Sequence, residues 1–295
     1  IRTLLGFKRI AWTSVLIPSI MPKPDLVALT GGYRKTPVLQ LGADIYCDTA
    51  LISRVLEELA PEPSIYPAAS AGLARVLAQW ADSTLFWTAI PYALQPAGFA
   101  HMFAGQPPEA MKAFAADRTP FRNLIPRMRI PEATESLGIY LREFETLLAD
   151  DRPWLLGEAA SIADFSVYHC LWFVSRGGPM AAILERYPRL KGWLGRMQAI
   201  GHGAPERLDS HAAVELAAGS QAKPVGPDRF QDTHGLSFGA PVTIAAVDYG
   251  TDPVAGELVI SRPEEIGLRR TDERAGTVVV HFPRLGFEIR SAAPA

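Results

Sequence analysis

Hydrophobic positions in the first sixty residues change period several times. Ile1, Leu4, Leu5 and Lys8 of "IRTLLGFKRI" share one helical face and read as the end of a helix. "AWTSVLI" (11–17) is β-rich and stops at Pro18, and the proline- and glycine-punctuated "MPKPDLVALTGGYRK" that follows reads as a loop. "PVLQL" and "ADIYC" are two short apolar runs meeting at Gly42, a hairpin signal. From Thr49, the positions Leu51, Ile52, Val55, Leu56 and Leu59 return to helical spacing, with Pro61 beyond the end. Helix, strand, crossover, strand, strand, helix predicts a small mixed sheet with covering helices.

The pattern then becomes helical. "APEPSIYPAAS" reads as a linker, and the apolar spacing from Ala71 to about Leu148 is helical, broken at Pro91, Pro96, the "GQPP" turn and "IPRMRIP". A second helical set follows "PWLLGEAA". It opens at Ser161-Ile-Ala-Asp164, a capping box with Asp in place of the usual Glu, and losing such a cap costs about 1 kcal/mol. A further helix opens near "YPRLKGWLGRMQ", and a short one covers about 209–218.

After "GSQAKPVGPD" the period changes again. "PVTIAAVDY", "GELVIS", "IGLRRT", "TVVVHF" and "GFEIR" are β-branched runs divided by Gly, Pro and Asp turns. They predict a small all-β domain, a barrel or sandwich. The expected division is therefore 1–66, an α/β unit; 67–218, all helical; 219–228, a linker; and 229–295, β-rich.

Composition narrows the function classes. A chain of 295 residues, 48% hydrophobic, can bury more than one core, and a net charge of −2 without clustered basic residues argues against a nucleic-acid surface. Cys47 and Cys170 cannot build a disulfide framework, which points to a reducing compartment. No apolar run approaches the roughly 20 residues of a membrane span. The histidines lack metal-ligand spacing, so no metal is expected.

The strand–strand–helix block "KTPVLQLGADIYCDTALISRVL", the cap in "LLGEAASIADFSVY" and the later "YPRLKGWLGRM" resemble, in order and spacing, the cytosolic glutathione S-transferase superfamily over about residues 1–218. The resemblance implies a thioredoxin-like N-terminal domain, an all-α C-terminal domain, glutathione as co-substrate, and a cytoplasmic homodimer acting on a small hydrophobic or electrophilic molecule. It places Thr36–Pro37 at the family's cis-proline position and Asp48-Thr49 at its acidic–Ser/Thr pair. The family's first strand and its thiol-activating Tyr, Ser or Cys would lie ahead of residue 1, and the β-rich tail is outside the common two-domain form.

Glutathione presents an amine and a carboxylate at one end, a central peptide, and a carboxylate at the other. Asp48-Thr49 at a helix N-terminus offers an anion for the amine and donors for the nearby carboxylate. On local sequence alone, Thr49 is as well explained as an N-cap with Asp48 a first-turn acid. A cis bond before Pro37 would bare the Thr36 backbone for the central peptide, as an added strand would. Lys35 is either a partner for the far carboxylate or a solvated lysine. Trp80, Phe86, Trp87 and Tyr92 are candidates for an apolar second-substrate pocket, against ordinary packing. Arg118, Arg122, Arg127 and Arg129 could guide an acidic substrate, although local ion pairs explain them more simply. Cys47 closes a strand and reads as a small buried hydrophobe, and Cys170 as core. The competing reading is a non-catalytic glutathione-transferase-fold scaffold whose tail docks a partner.

Overall fold

The structure, a computed structural model, describes residues 1–121, 128–227 and 230–292. Helix α1 (Arg2–Lys8), strand β1 (Thr13–Val15), helix α2 (Pro24–Thr30), strands β2 (Val38–Leu41) and β3 (Asp44–Cys47) and helix α3 (Thr49–Leu59) come first. Helices α4 (Ala71–Trp80), α5 (Phe86–Ala93), α6 (Pro96–Met102), α7 (Pro108–Arg118), α8 (Ile130–Leu147), α9 (Ile162–Ser175) and α10 (Pro188–Ala199) follow. Strand β4 (Glu206–Leu208) and helix α11 (Ser210–Ala218) precede β5 (Pro241–Ala246), β6 (Val254–Ser261), β7 (Glu265–Asp272), β8 (Gly276–Pro283) and β9 (Phe287–Ser291).

Two of these elements correct the sequence reading. The stretch 21–35 is not all loop, because α2 lies within it: Pro24 occupies its first turn and Gly31, at φ 76°, ends it in the left-handed conformation. The residues taken as punctuation are the boundaries of a helix, which is where Pro and Gly are favoured. Pro91 does not interrupt its helix but sits inside α5.

The chain divides into two compact units. One comprises Ile1–Ala11, Leu56–Lys112 and Pro126–Ala204 and is helical. Its core includes Leu137, Leu141, Val167, Leu171 and Trp193, all fully buried. Asp164, also buried, ties three segments of this unit together. Its carboxylate accepts from Ser161 N (2.8 Å) and Ser161 Oγ (2.9 Å) at the start of α9, from Leu155 N (2.8 Å), and from the Trp193 indole (2.9 Å) on α10. The capping box expected from the sequence forms. In the same unit Lys8, buried on the apolar face of α1, pairs with Glu57 and donates to Ala60 O and Pro63 O, both at 2.8 Å.

The other unit comprises Trp12–Val55, Ala113–Ile125 and Pro205–Ala295. Its centre is a seven-stranded sheet in the order β2-β3-β8-β7-β6-β5-β9. The five tail strands therefore do not close on themselves as a barrel or sandwich. β8 pairs in parallel with β3, with Asp44 opposite Val279 and Tyr46 opposite His281, and the remaining pairs are antiparallel. Strand β8 is buried along nearly its whole length, as a central strand must be. Ala28 and Leu29 of α2 and Val214 and Ala217 of α11 cover one face, against Ile45, Val278, Val280 and Phe282. On the other face the described part of the expected linker is pinned: Ala222 and Val225 pack on Val259, Ile260 and Val279, and Lys223 N donates to Asp44 Oδ2 at 2.9 Å.

Among the described residues, no helix is long and apolar enough to cross a membrane, and no group of His, Cys, Asp and Glu is placed to hold a metal ion.

Candidate functional site

Register brings the predicted ligand residues together. Because Val38 pairs with Cys47, the residues that precede β2 and those that follow β3 meet at one end of the same hairpin. Thr36 and Pro37 are there, both exposed, with the peptide between them cis. Asp48 and Thr49 lie across from them and lead into α3.

Asp48 has φ 73°, a left-handed conformation uncommon outside Gly, Asn and Asp. Its Oδ1 accepts from Ala50 N at 2.9 Å, and its carbonyl takes the first helical bond, from Ile52 N. Asp48 is therefore the N-cap and Thr49 the first helical residue, which reverses the local alternative of Thr49 as cap. Residues in strained backbone regions gather at ligand clamps. Burial pushes the Asp48 carboxyl above its ordinary range; the negative charge of Asp248 adds to this, while the Ala50 N–H and the charge of Lys35 oppose it.

Lys35 is not solvated: its ammonium pairs with Asp248 in the β5–β6 connection. It also lies 4.4 Å over the ring of Tyr249 and 5.8 Å from that of Phe287. Burial, followed by the Asp248 charge, holds the Tyr249 phenol up at about 12. Next to Lys35, Arg34 bonds Asp117 Oδ2 at 2.6 Å, and Met21 N reaches Asp117 Oδ1 at 3.0 Å. The tail thus supplies three side chains to this end of the hairpin. No local motif announced them, since Lys35 and Asp248 are 213 positions apart.

Cys47 is buried, and burial pushes its thiol well above the ordinary value, which suits a core residue and not a nucleophile. Cys170 is likewise buried, its thiol 3.3 Å from Ala81 O. The four aromatics proposed for a second-substrate pocket belong to the helical unit, where each has a packing partner. Trp80 meets Tyr140 edge-on at 5.0 Å, Phe86 stacks on His169 at 5.6 Å and meets Trp87 at 5.0 Å, and the Tyr92 hydroxyl donates to Met180 O at 3.1 Å. Arg118 pairs with Asp117 and Arg129 with Glu132, in keeping with local ion pairs, while Arg122 and Arg127 lie outside the described residues.

Comparison with known proteins identifies two domains in this chain. Residues 1–64 match the model of the glutathione S-transferase N-terminal domain and residues 128–196 that of the C-terminal domain. A glutathione S-transferase-like protein from Pseudomonas syringae is 42% identical, over 99% of this chain and 94% of its own, with a TM-score of 0.82. Because that span takes in the tail, the β-rich extension is shared by the two proteins. The apo form of glutathione S-transferase III, at 20% identity and a TM-score of 0.50 over 76% of this chain and 92% of its own, shares the fold. No curated protein matches the sequence. With domain models matched at both ends of the two-domain region and a 42% identical structure along nearly the whole chain, the protein belongs to the glutathione S-transferase superfamily.

Proposed function

We propose that the protein is a glutathione transferase-like enzyme in which the β2–β3 end binds the tripeptide. The observation that carries this reading is the register that sets exposed Thr36–Pro37 across from the Asp48 cap. Asp48 would pair with the γ-glutamyl amine, and the first turn of α3, with Thr49, would meet the adjacent carboxylate through its amides and dipole. The Thr36 backbone would pair with the cysteinyl peptide as an added strand. These residues bind and orient. The reaction they serve is thiolate attack on an electrophilic carbon, or resolution of a peroxide or disulfide. Trp80, Phe86, Trp87 and Tyr92 already have packing partners, so a second-substrate role for them rests on the family resemblance alone. The same reading extends to a homodimer in the cytoplasm.

The test is retention of the full-length protein on immobilised glutathione, together with thermal stabilisation by millimolar glutathione. Both are expected. Loss of both overturns the enzyme reading and favours the scaffold alternative.

A further inference from the structure

We propose that the tail is a specificity element of the glutathione site: Asp248 occupies the cation that a ligand's terminal carboxylate would use, so the site prefers a glutathione-type peptide whose far end carries no charge. The inference rests on the glutathione reading of Thr36–Pro37 and Asp48-Thr49 and goes beyond it by assigning a role to residues of the β-rich extension.

Lys35 immediately precedes the Thr36 backbone edge and is the lysine nearest that edge in sequence. Its side chain is only 10% exposed, and Asp248 already satisfies it with a carboxylate, the same chemical group a terminal glycine would bring. The Tyr249 ring lies against the same ammonium at 4.4 Å, so the cation is held on two sides by one short connection. Gly250, the next residue, packs on the neighbouring arginine, where an added Cβ would lie 3.1 Å from Arg34 Cγ. A ligand carboxylate arriving at Lys35 must displace Asp248 or sit beside it, and either arrangement is repulsive between like charges. An ester or amide at that position carries no such penalty. Asp248 is thus the repulsive element that discriminates between two ligands sharing every other contact.

Binding of glutathione and of its glycine monoethyl ester to the full-length protein can be compared by calorimetry, in the wild type and in Asp248→Asn. Wild type should bind the ester more tightly than glutathione. Asp248→Asn should tighten glutathione about fivefold while leaving the ester within about twofold, the scale of one part-exposed charge. Asp248 is 44% exposed and the change preserves its shape, so the variant is expected to fold, and a matching melting curve confirms it. If wild type prefers glutathione, or if the substitution shifts both ligands equally, the role of Asp248 is overturned while the glutathione site stands. If neither ligand binds either protein, the glutathione reading falls and takes this inference with it.

Discussion

His281 Nε2 on β8 lies 3.0 Å from Asp44 Oδ1 on β3, joining the tail to the N-terminal hairpin across 237 positions of sequence. The other ring nitrogen, Nδ1, is 2.7 Å from Glu265 Oε1 on β7. With both carboxyls ionised each nitrogen donates, so below its raised pKa the ring is an imidazolium. The ring stacks on its register partner Tyr46, with centroids 4.2 Å apart. Asp44 takes Lys223 N on its second oxygen, and Arg262 stands 3.5 Å from Glu265. Arg54 stands next to that group, paired with Glu264 at 2.6 Å. A buried charge persists where it is paired and hydrogen-bonded, and this one is satisfied on every polar atom.

His281→Phe keeps a ring over Tyr46 but removes both donors. It should destabilise the protein by about 3–5 kcal/mol near pH 6, the range for breaking a buried pair. Burial alone disfavours charge on His281, but the bonds to Asp44 and Glu265 outweigh it, and its pKa is raised above 6.5. Its contribution is therefore complete below pH 6.5 and is lost as pH rises through the raised value. For Glu265 burial is likewise opposed, by the His281 bond and charge, and its pKa is lowered; that contribution is present above pH 4.5 and lost as pH falls through the lowered value. The stability gap between wild type and variant should be widest between these limits and narrow on the alkaline side. Denaturant melts of both proteins from pH 5 to 9 measure it, and a gap that stays constant with pH contradicts the assignment.

Asp164→Ala should be among the most damaging substitutions in the helical unit. It leaves Leu155 N, Ser161 N and the Trp193 indole without an acceptor inside a buried site, at about 1–3 kcal/mol for each orphaned group. Urea unfolding followed by tryptophan fluorescence should show a loss of at least about 3 kcal/mol. Asp164→Asn retains acceptor capacity on one oxygen and should recover part of it. Equal stability of all three proteins would show that the cap carries no weight.

Much of this architecture was legible because its determinants are local. The Gly42 hairpin, the apolar stripe of α3, the Ser161–Asp164 cap and the five tail strands each lie within a few residues of the signal that announces them. What was missed depends on distant partners. Nothing local to Asp44 or Lys35 announces His281 and Asp248, which arrive from more than 200 positions away. One clue to the tail's placement was present. "TVVVHF" is a continuous apolar run, the mark of a strand buried on both faces, whereas β5 alternates buried and less buried positions. A central strand needs two neighbours, and β7 supplies only one. The other is β3.

At the ligand end, Asp48 has two duties that one substitution can separate. Asp48→Asn keeps an acceptor for Ala50 N and a side chain tolerant of the left-handed backbone, so the melting temperature should change little. The negative charge is lost, and glutathione affinity should fall by about tenfold, on the scale of one charge-assisted hydrogen bond. Because burial raises the Asp48 pKa above 3.8, wild-type affinity should begin to fall at a pH above the ordinary carboxylate range as the solution is acidified. The Asn variant should lack that limb. Calorimetric titrations at several pH values test both expectations, and identical profiles for the two proteins would remove Asp48 from the site.

Whether the tail opens by itself is decided by β3 and β8. Val279 N donates to Ala43 O at 3.0 Å, and the parallel ladder continues from Asp44–Val279 to Tyr46–His281. Ile45, Val278 and Val280 share one buried cluster with α2 and α11. Peeling the tail away would expose that cluster together with the unpaired edge of β3 and strand Asp44 without its imidazolium. The tail should therefore not unfold as an independent domain. In native-state hydrogen exchange at low denaturant, the amides of Ile45, Tyr46, Val279 and Val280 should share one opening free energy and one denaturant dependence. A lower, separate free energy for β8 would instead make the extension a domain that docks and undocks. In that case the Lys35–Asp248 pair would form only while it is docked.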